Sequence, residues 1–201
     1  KKVLILDADL GLANVNILLG FKPAATINDL ISGDAKLKDI IVSHPTGLDI
    51  IPASSGVTDL LDISEEDRVT LIEAVEEFGS HYDYLLIDTA AGIGSTVMYF
   101  NLAAEEVLVV IGPEPTSITD AYALIKVLST QHGLRNFSVV VNRAPVGQDG
   151  RSVFGQLSAV TSRPMPISGN PVPLPIKVNS LTPLSRIPCT SVGRVPTPPN
   201  P

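Results

Sequence analysis

A chain of 201 residues, 44% of them hydrophobic and with a mean hydropathy of +0.29, carries enough apolar side chains for one α/β domain with a substantial core. Its net charge of -7 excludes a general nucleic-acid coat, which needs clustered Lys and Arg, and leaves room only for a local basic patch. A single cysteine, Cys189, excludes an intrachain disulfide and a cysteine-based zinc site and fits a reducing cytoplasm, and the sequence shows neither an apolar run of the ~18–20 residues a spanning helix needs nor a secretory signal.

The chain begins with a strand, Val3 to Leu6, that runs into Asp7-Ala8-Asp9 and a Gly11 turn. A short helix over Ala13 to Leu19 is expected to stop at Gly20. Thr26-Ile27-Asn28-Asp29 reads as a capping box opening a second short helix that ends at Gly33, and a third helical turn covers Leu37 to Val42. Leu48 to Ile51 is a strand ended by Pro52. Ser64 opens a longer helix with acids in its first turn, where the macrodipole favours them. Val69, Ile72, Val75 and Phe78 mark its apolar face and Gly79 its end.

A second apolar strand, Tyr84 to Ile87, meets Asp88, then a Gly-rich turn and a helix from about Ser95 to Ala103. Val107 to Ile111 reads as a buried strand closing at Gly112-Pro113. Hydroxyl caps among Thr116, Ser117 and Thr119 introduce a helix that turns Ala121, Leu124, Ile125 and Leu128 inward. Phe137 to Val141 is the last strand, ending in Asn142-Arg143. Strands alternating with helices in this way predict a doubly wound α/β fold: a mostly parallel sheet with helices on both faces. Residues 1–163 form the expected domain. Past Arg163 the chain holds eleven of its 17 prolines and no Asp or Glu, so residues 164–201 read as a disordered Pro-rich or frameshifted tail. The histidines His44, His81 and His132 are scattered and read as surface or loop residues rather than ligands.

The chemistry concentrates where the apolar strands meet acid. Continuous Val/Ile/Leu runs suit parallel strands covered on both faces, and open α/β sheets bind ligands beyond the carboxyl ends of such strands. Asp7, Asp9 and Asp88 thus aim at one crevice, as acids do that hold magnesium and orient an attacking water beside a polyphosphate. A lone strand-end aspartate can equally cap a turn, but Gly11 and Gly92-Ile93-Gly94 beside this set allow close backbone approach to phosphate. Asn142 can pair with an adenine edge and Arg143 can stack on the ring; either can also be an ordinary turn residue. Glu114, in the rigid Pro113-Glu114-Pro115-Thr116 loop, lines the pocket or simply ends a strand.

Asp7-Ala8-Asp9-Leu10-Gly11-Leu12-Ala13-Asn14-Val15-Asn16 resembles the switch I region of the MinD/ParA group of deviant Walker ATPases, which are P-loop NTPases of the SIMIBI-like class. Ile87-Asp88-Thr89-Ala90-Ala91-Gly92-Ile93-Gly94 resembles their Walker B strand and switch II. Within that group, Ile50 to Gly56, Tyr99 to Ala104, Pro113 to Ser117 and Leu157 to Val160 look most like the FlhG branch of flagellar-number regulators, also called FleN or YlxH. The resemblance covers residues 1–163.

By that resemblance Asp88 acts on magnesium through water, Asp9 positions the metal and the attacking water, and Asp7 supports the loop. Asn14 matches the switch I asparagine near the dimer face, Gly92 presents its amide to the γ-phosphate and Asn142 reads adenine. Ala91 stands where many relatives have proline. The family's N-terminal strand and its Lys-Gly-Gly-x-Gly-Lys-Thr loop are unmatched, as are the last strand and the amphipathic membrane helix, so the chain is expected to be truncated at both ends. Such a piece is expected to hydrolyse little ATP and to be poorly stable, with exposed strand edges.

The implied function is that of a Mg2+- and ATP-dependent regulator of flagellar number and placement. The family dimerises on nucleotide, touches the inner membrane reversibly from the cytoplasm, engages an FlhF-like GTPase and flagellar C-ring or assembly proteins, and makes no direct contact with nucleic acid. The alternatives are a MinD-type division-site or ParA-type partition ATPase and, in another class, a non-catalytic interaction module. A phosphoryl-receiver domain fits poorly because Asp7 and Asp88 lie too far apart in the chain.

Overall fold

Strand β1, Val3–Ala8, is paired along both edges, and the first half of the chain is organised around it. The computed structural model describes residues 1–9, 14–53, 64–79, 81–144 and 150–161. The Gly11 turn, Ser54-Ser55-Gly56, the boundary at Arg163 and the tail 164–201 lie outside the described residues. Two units are distinguished, Lys1–Ala90 and a second that begins at Ala91.

In the first unit, β1 lies between β3, Leu48–Ile51, and β4, Tyr84–Thr89, parallel to both. A two-residue strand β2, Val42–Ser43, pairs antiparallel with β3 and completes the order β2-β3-β1-β4. The short helices α1 (Val15–Leu19), α2 (Ile27–Ile31) and α3 (Leu37–Ile40) connect β1 to β2, and α4 (Glu65–Gly79) precedes β4. The core of this unit gathers Leu4 and Leu6 from β1, Ile50 and Ile51 from β3, and Ile27, Ile40 and Leu71 from the helices.

The second unit holds α5 (Ser95–Ala103), β5 (Leu108–Ile111), α6 (Pro115–His132), β6 (Ser138–Val141) and α7 (Gly150–Thr161). Strands β5 and β6 run parallel, and their inward residues Val109, Ile111 and Val139 pack with Ile125 and Leu128 of α6 and Leu157 of α7. Among the described residues, no strand occupies the second edge of β4 or the second edge of β5. The α/β class and the mostly parallel pairing are as expected, in a four-stranded sheet and a two-stranded one.

Several elements differ from the sequence reading, each for a physical reason. The third helix stops at Ile40, because Val42 extends instead and pairs with Ile50. Strand β5 is covered on one face within its own unit: Val109 and Ile111 are buried while Leu108 and Val110 are 44% and 57% exposed. An unbroken apolar run therefore overstated its burial. Helix α6 starts at Pro115, whose fixed φ and missing N–H suit a first helical position. The hydroxyls do not cap it, since Ser117 Oγ accepts from the Gly112 N–H at 2.9 Å and Thr119 Oγ1 donates to the Pro115 carbonyl.

The face of α4 also differs. Leu71 and Val75 are buried, whereas Val69 is 43% exposed. Val69 and Phe78 are nine residues apart, two and a half turns at about 3.6 residues per turn, so a strict three-residue repeat cannot stay on one side. We predict that Leu71→Ala costs about 2–4 kcal/mol in urea unfolding and Val69→Ala less than about 0.5 kcal/mol. Equal losses would reject this assignment of the helix face.

Candidate functional site

The parallel ladder between β1 and β4 continues through its acidic end. Asp7 pairs in register with Asp88, and Ala8 with Thr89. Both acids thus belong to strands rather than lying just beyond them, as the sequence reading had it. The reason is that backbone pairing runs on two residues past the apolar stretch. Register partners in neighbouring strands present their side chains to the same face. Asp9 follows directly at the end of β1 and is partly buried.

Asp7 is 1% exposed, which is costly for a carboxylate. Its Oδ2 accepts from the Val15 N–H at 3.3 Å, at the first residue of α1. Its Oδ1 is buried without a hydrogen-bond partner. Burial holds the Asp7 carboxyl above the ordinary aspartate range; the backbone N–H groups of Val15 and Asp9 pull it back, and the charges of Asp88 and Asp9 push it up again. Asp88 opens more to solvent, yet desolvation and then the charge of Asp9 raise it as well. The three carboxylates therefore act on one another electrostatically.

Among the described residues, no group of three or more His, Cys, Asp or Glu side chains is arranged to cage a metal ion. Magnesium rarely uses such a cage: it takes one or two carboxylates and fills its octahedron with water and phosphate oxygens. Asp9 and Asp88 supply hard oxygen donors of that kind, and the unpaired Oδ1 of Asp7 is an acceptor left to meet a donor such as a bound water. The residues present fit a magnesium ion held largely by its other ligands.

Asn14 is the exposed N-cap of α1; its side chain makes no capping bond, while its carbonyl accepts from the Leu18 N–H at 2.9 Å. In the second unit, Gly92 adopts φ 100°, a backbone that favours glycine, with open space where a Cβ would stand. Asn142 and Arg143 are exposed beyond β6, and the Asn142 Oδ1 accepts from the Arg143 N–H at 2.9 Å. This bond accompanies the positive φ of Arg143, 57°. Glu114 is exposed at the N-cap of α6, and its carboxylate folds over Gly112, where any Cβ would collide with it. Asp7, Asp9 and Asp88 come together in the first unit; Gly92, Glu114, Asn142 and Arg143 belong to the second.

A family model described as an AAA domain matches residues 1–139. The chain belongs to this AAA-domain family. It is 47% identical over 163 residues to the antiactivator FleN of Pseudomonas aeruginosa, an alignment spanning 81% of this chain and 58% of that protein. It is 38% identical over 159 residues to the flagellum site-determining protein YlxH of Helicobacter pylori, spanning 79% of this chain and 53% of that protein. Among solved structures, it resembles the septum site-determining protein MinD complexed with Mg-ADP from Pyrococcus horikoshii, with a TM-score of 0.52 and 31% identity over 69% of this chain and 57% of that one. The chain therefore spans little more than half the length of the curated relatives it matches. Sequence and fold are those of the MinD/ParA group, with FleN and YlxH among its relatives, as the switch-like motifs indicated.

His44 was read from the sequence only as a surface or loop residue. It sits at the turn between β2 and β3, half-buried, with its ring on the carbonyl of Leu19. A lone His-Pro in a turn carries no periodicity or motif by which to find it.

The raised carboxyls give a pH dependence. An acid whose pKa is higher in the folded state binds its proton more tightly there, so its contribution to stability is complete below the ordinary value of 3.8 and is lost as pH rises through the raised one. Asp7→Asn removes that loss while retaining an acceptor for the Val15 N–H. We predict that Asp7→Asn melts at a higher temperature than the wild type at pH 7, and that the gap closes as the pH falls below the ordinary aspartate range. A melting-temperature difference that grew toward acid would show the opposite sign.

Proposed function

We propose that the full-length protein is a Mg2+- and ATP-dependent regulator of flagellar number and placement that binds and hydrolyses ATP. The observation that carries this reading is the registered pair Asp7 and Asp88, with Asp9 beside it, at the carboxyl ends of two adjacent parallel strands. The relatives support the biological side: one is called an antiactivator and another a flagellum site-determining protein. The MinD structure resembling this chain holds Mg-ADP, which supports magnesium and an adenine nucleotide as the ligands.

In this reading, bound magnesium neutralises the phosphate charge and polarises the transferring phosphoryl group. Asp88 and Asp9 are the residues that would hold the magnesium ion, Asp88 through water, and Asp9 would also orient the attacking water. Asp7, buried and short of one hydrogen bond, supports the loop that carries Asp9. Asn14 serves the face where two copies meet over the nucleotide. The Gly92 amide donates toward the terminal phosphate. Asn142 reads the adenine edge with its free amide nitrogen, Arg143 stacks on the ring, and Glu114 lines the base pocket.

The partners in this proposal are a second copy of the chain, an FlhF-like GTPase, flagellar C-ring or assembly proteins, and the cytoplasmic face of the inner membrane. The membrane contact proposed is peripheral; no helix among the described residues is long and apolar enough to cross a membrane.

The test is ATP turnover and Mg2+-dependent nucleotide binding by the full-length protein. Asp9→Asn is expected to lower kcat by about a hundredfold or more with little change in binding, because it removes the group that positions water. Asp88→Asn is expected to weaken Mg2+-dependent binding, and Asn142→Ala to erode the preference for ATP over GTP. Failure of the wild type to bind Mg-ATP would favour a non-catalytic interaction module. Deletion of the gene should change flagellar number; a change in division-site or partition phenotype instead would place the protein with MinD or ParA.

A further inference from the structure

Helix α1 cannot hold its own position. Five residues fall well short of the ~12–15 at which an isolated helix becomes even marginally stable, and its last carbonyls have no partner further along the helix. The chain supplies part of what is missing: the N–H groups of Gly20 and Phe21 return to the carbonyls of Ile17 and Asn16 at 3.2 and 3.0 Å. The Leu19 carbonyl is met from outside, by His44 Nε2 at 3.2 Å.

His44 is itself firmly placed. Its N–H donates to the Leu48 carbonyl at 2.8 Å and its carbonyl accepts from the Gly47 N–H at 2.9 Å, closing the turn between β2 and β3. Its Nδ1 lies 2.8 Å from Thr46 Oγ1 and 3.4 Å from the Thr46 backbone nitrogen. A backbone N–H only donates, so Nδ1 is the acceptor of the ring and Nε2 carries the proton. That proton points at Leu19. The Phe21 ring, tilted at 47° with centroids 6.3 Å apart, packs against the imidazole.

The opposite end of α1 is tied to the candidate site, where the Val15 N–H donates to the buried carboxylate of Asp7. One short helix thus links a site carboxylate to a turn histidine, with a side-chain anchor at each end. We propose that His44 is a positioning residue for the site: by holding the Leu19 carbonyl it keeps α1 seated and the Val15 N–H on Asp7 Oδ2. That leaves Asp7 Oδ1 and the neighbouring Asp9 fixed toward the nucleotide. The functional half of this inference rests on the ATP reading above; the link between His44 and Val15 does not.

Two substitutions separate this role from simple packing. In His44→Gln the side-chain amide nitrogen stands near the place of Nε2 and still donates to Leu19. In His44→Asn the shorter amide reaches only the position of Nδ1. In the full-length protein, exchange of the Val15 amide followed by NMR is expected to quicken about tenfold in His44→Asn and His44→Ala and to stay within about twofold of wild type in His44→Gln. ATP turnover should follow the same order, with kcat lowered about tenfold and KM for Mg-ATP nearly unchanged. If Gln and Asn behave alike, or if Val15 exchange moves while kcat does not, the proposal is wrong. A wild type that turns over no ATP would sink the functional reading, while Val15 exchange would still decide whether His44 seats α1. Should His44→Ala fail to fold, the Gln and Asn pair carries the test.

Discussion

The pairing of β1 with β4 is the constraint from which the rest of the first unit follows. Six consecutive register pairs, from Val3 with Tyr84 to Asp7 with Asp88 and Ala8 with Thr89, carry the strands past their apolar stretch into charge. Asp7 is buried while its register partner Asp88 is exposed, so the burial of Asp7 must be offset by what lies nearby. Only one of its two oxygens is satisfied by the protein, through the Val15 N–H. The fold thus keeps a carboxylate at an energetic disadvantage beside two others. Arrangements of that kind are characteristic of sites that bind cations or handle protons, because a purely structural core replaces such groups with apolar ones.

The same ladder explains why the helices after β1 are so short. The chain has to leave the end of β1, cap Asp7 with a backbone N–H, and return to form β2 and β3. It does so with α1, α2 and α3, none longer than five residues. Each is stabilised from outside its own backbone: α1 by Asp7 and His44, α2 by Asp29, which accepts from the Thr26 N–H at 2.7 Å. Propensity contributes little to such pieces, and side-chain anchors decide where they lie. An anchor that is also a site carboxylate couples the position of the helix to whatever the site binds.

Much of this was legible in the residues, and the exceptions have identifiable causes. Leu48–Ile51 and Ser95–Ala103 have the boundaries that their apolar runs and Gly or Pro stops predicted, and the Thr26 capping box is present. The three aspartates were found because charge directly after a Val/Ile/Leu run is rare in sequence and conspicuous. Strand β2 was missed since two residues carry no period. Helix α7 was not read from the sequence, although Val153, Leu157 and Thr161 recur every four residues. The face of α4 was misread because a three-residue repeat drifts around a helix with a turn of about 3.6 residues. His44 was read as a surface or loop residue and no more, because its contact is with a carbonyl twenty-five positions earlier.

The second unit makes the complementary point about sheets. Its strands alternate buried and exposed residues, with Val109 and Ile111 inward and Leu108 and Val110 outward, although all four side chains are apolar. Apolar residues on both sides of a strand reflect a requirement to be covered on both faces, and the described helices of this unit cover one. Exposed Leu and Val on a parallel pair, together with an edge of β5 that no described strand occupies, leave unpaired backbone and uncovered side chains on the same element.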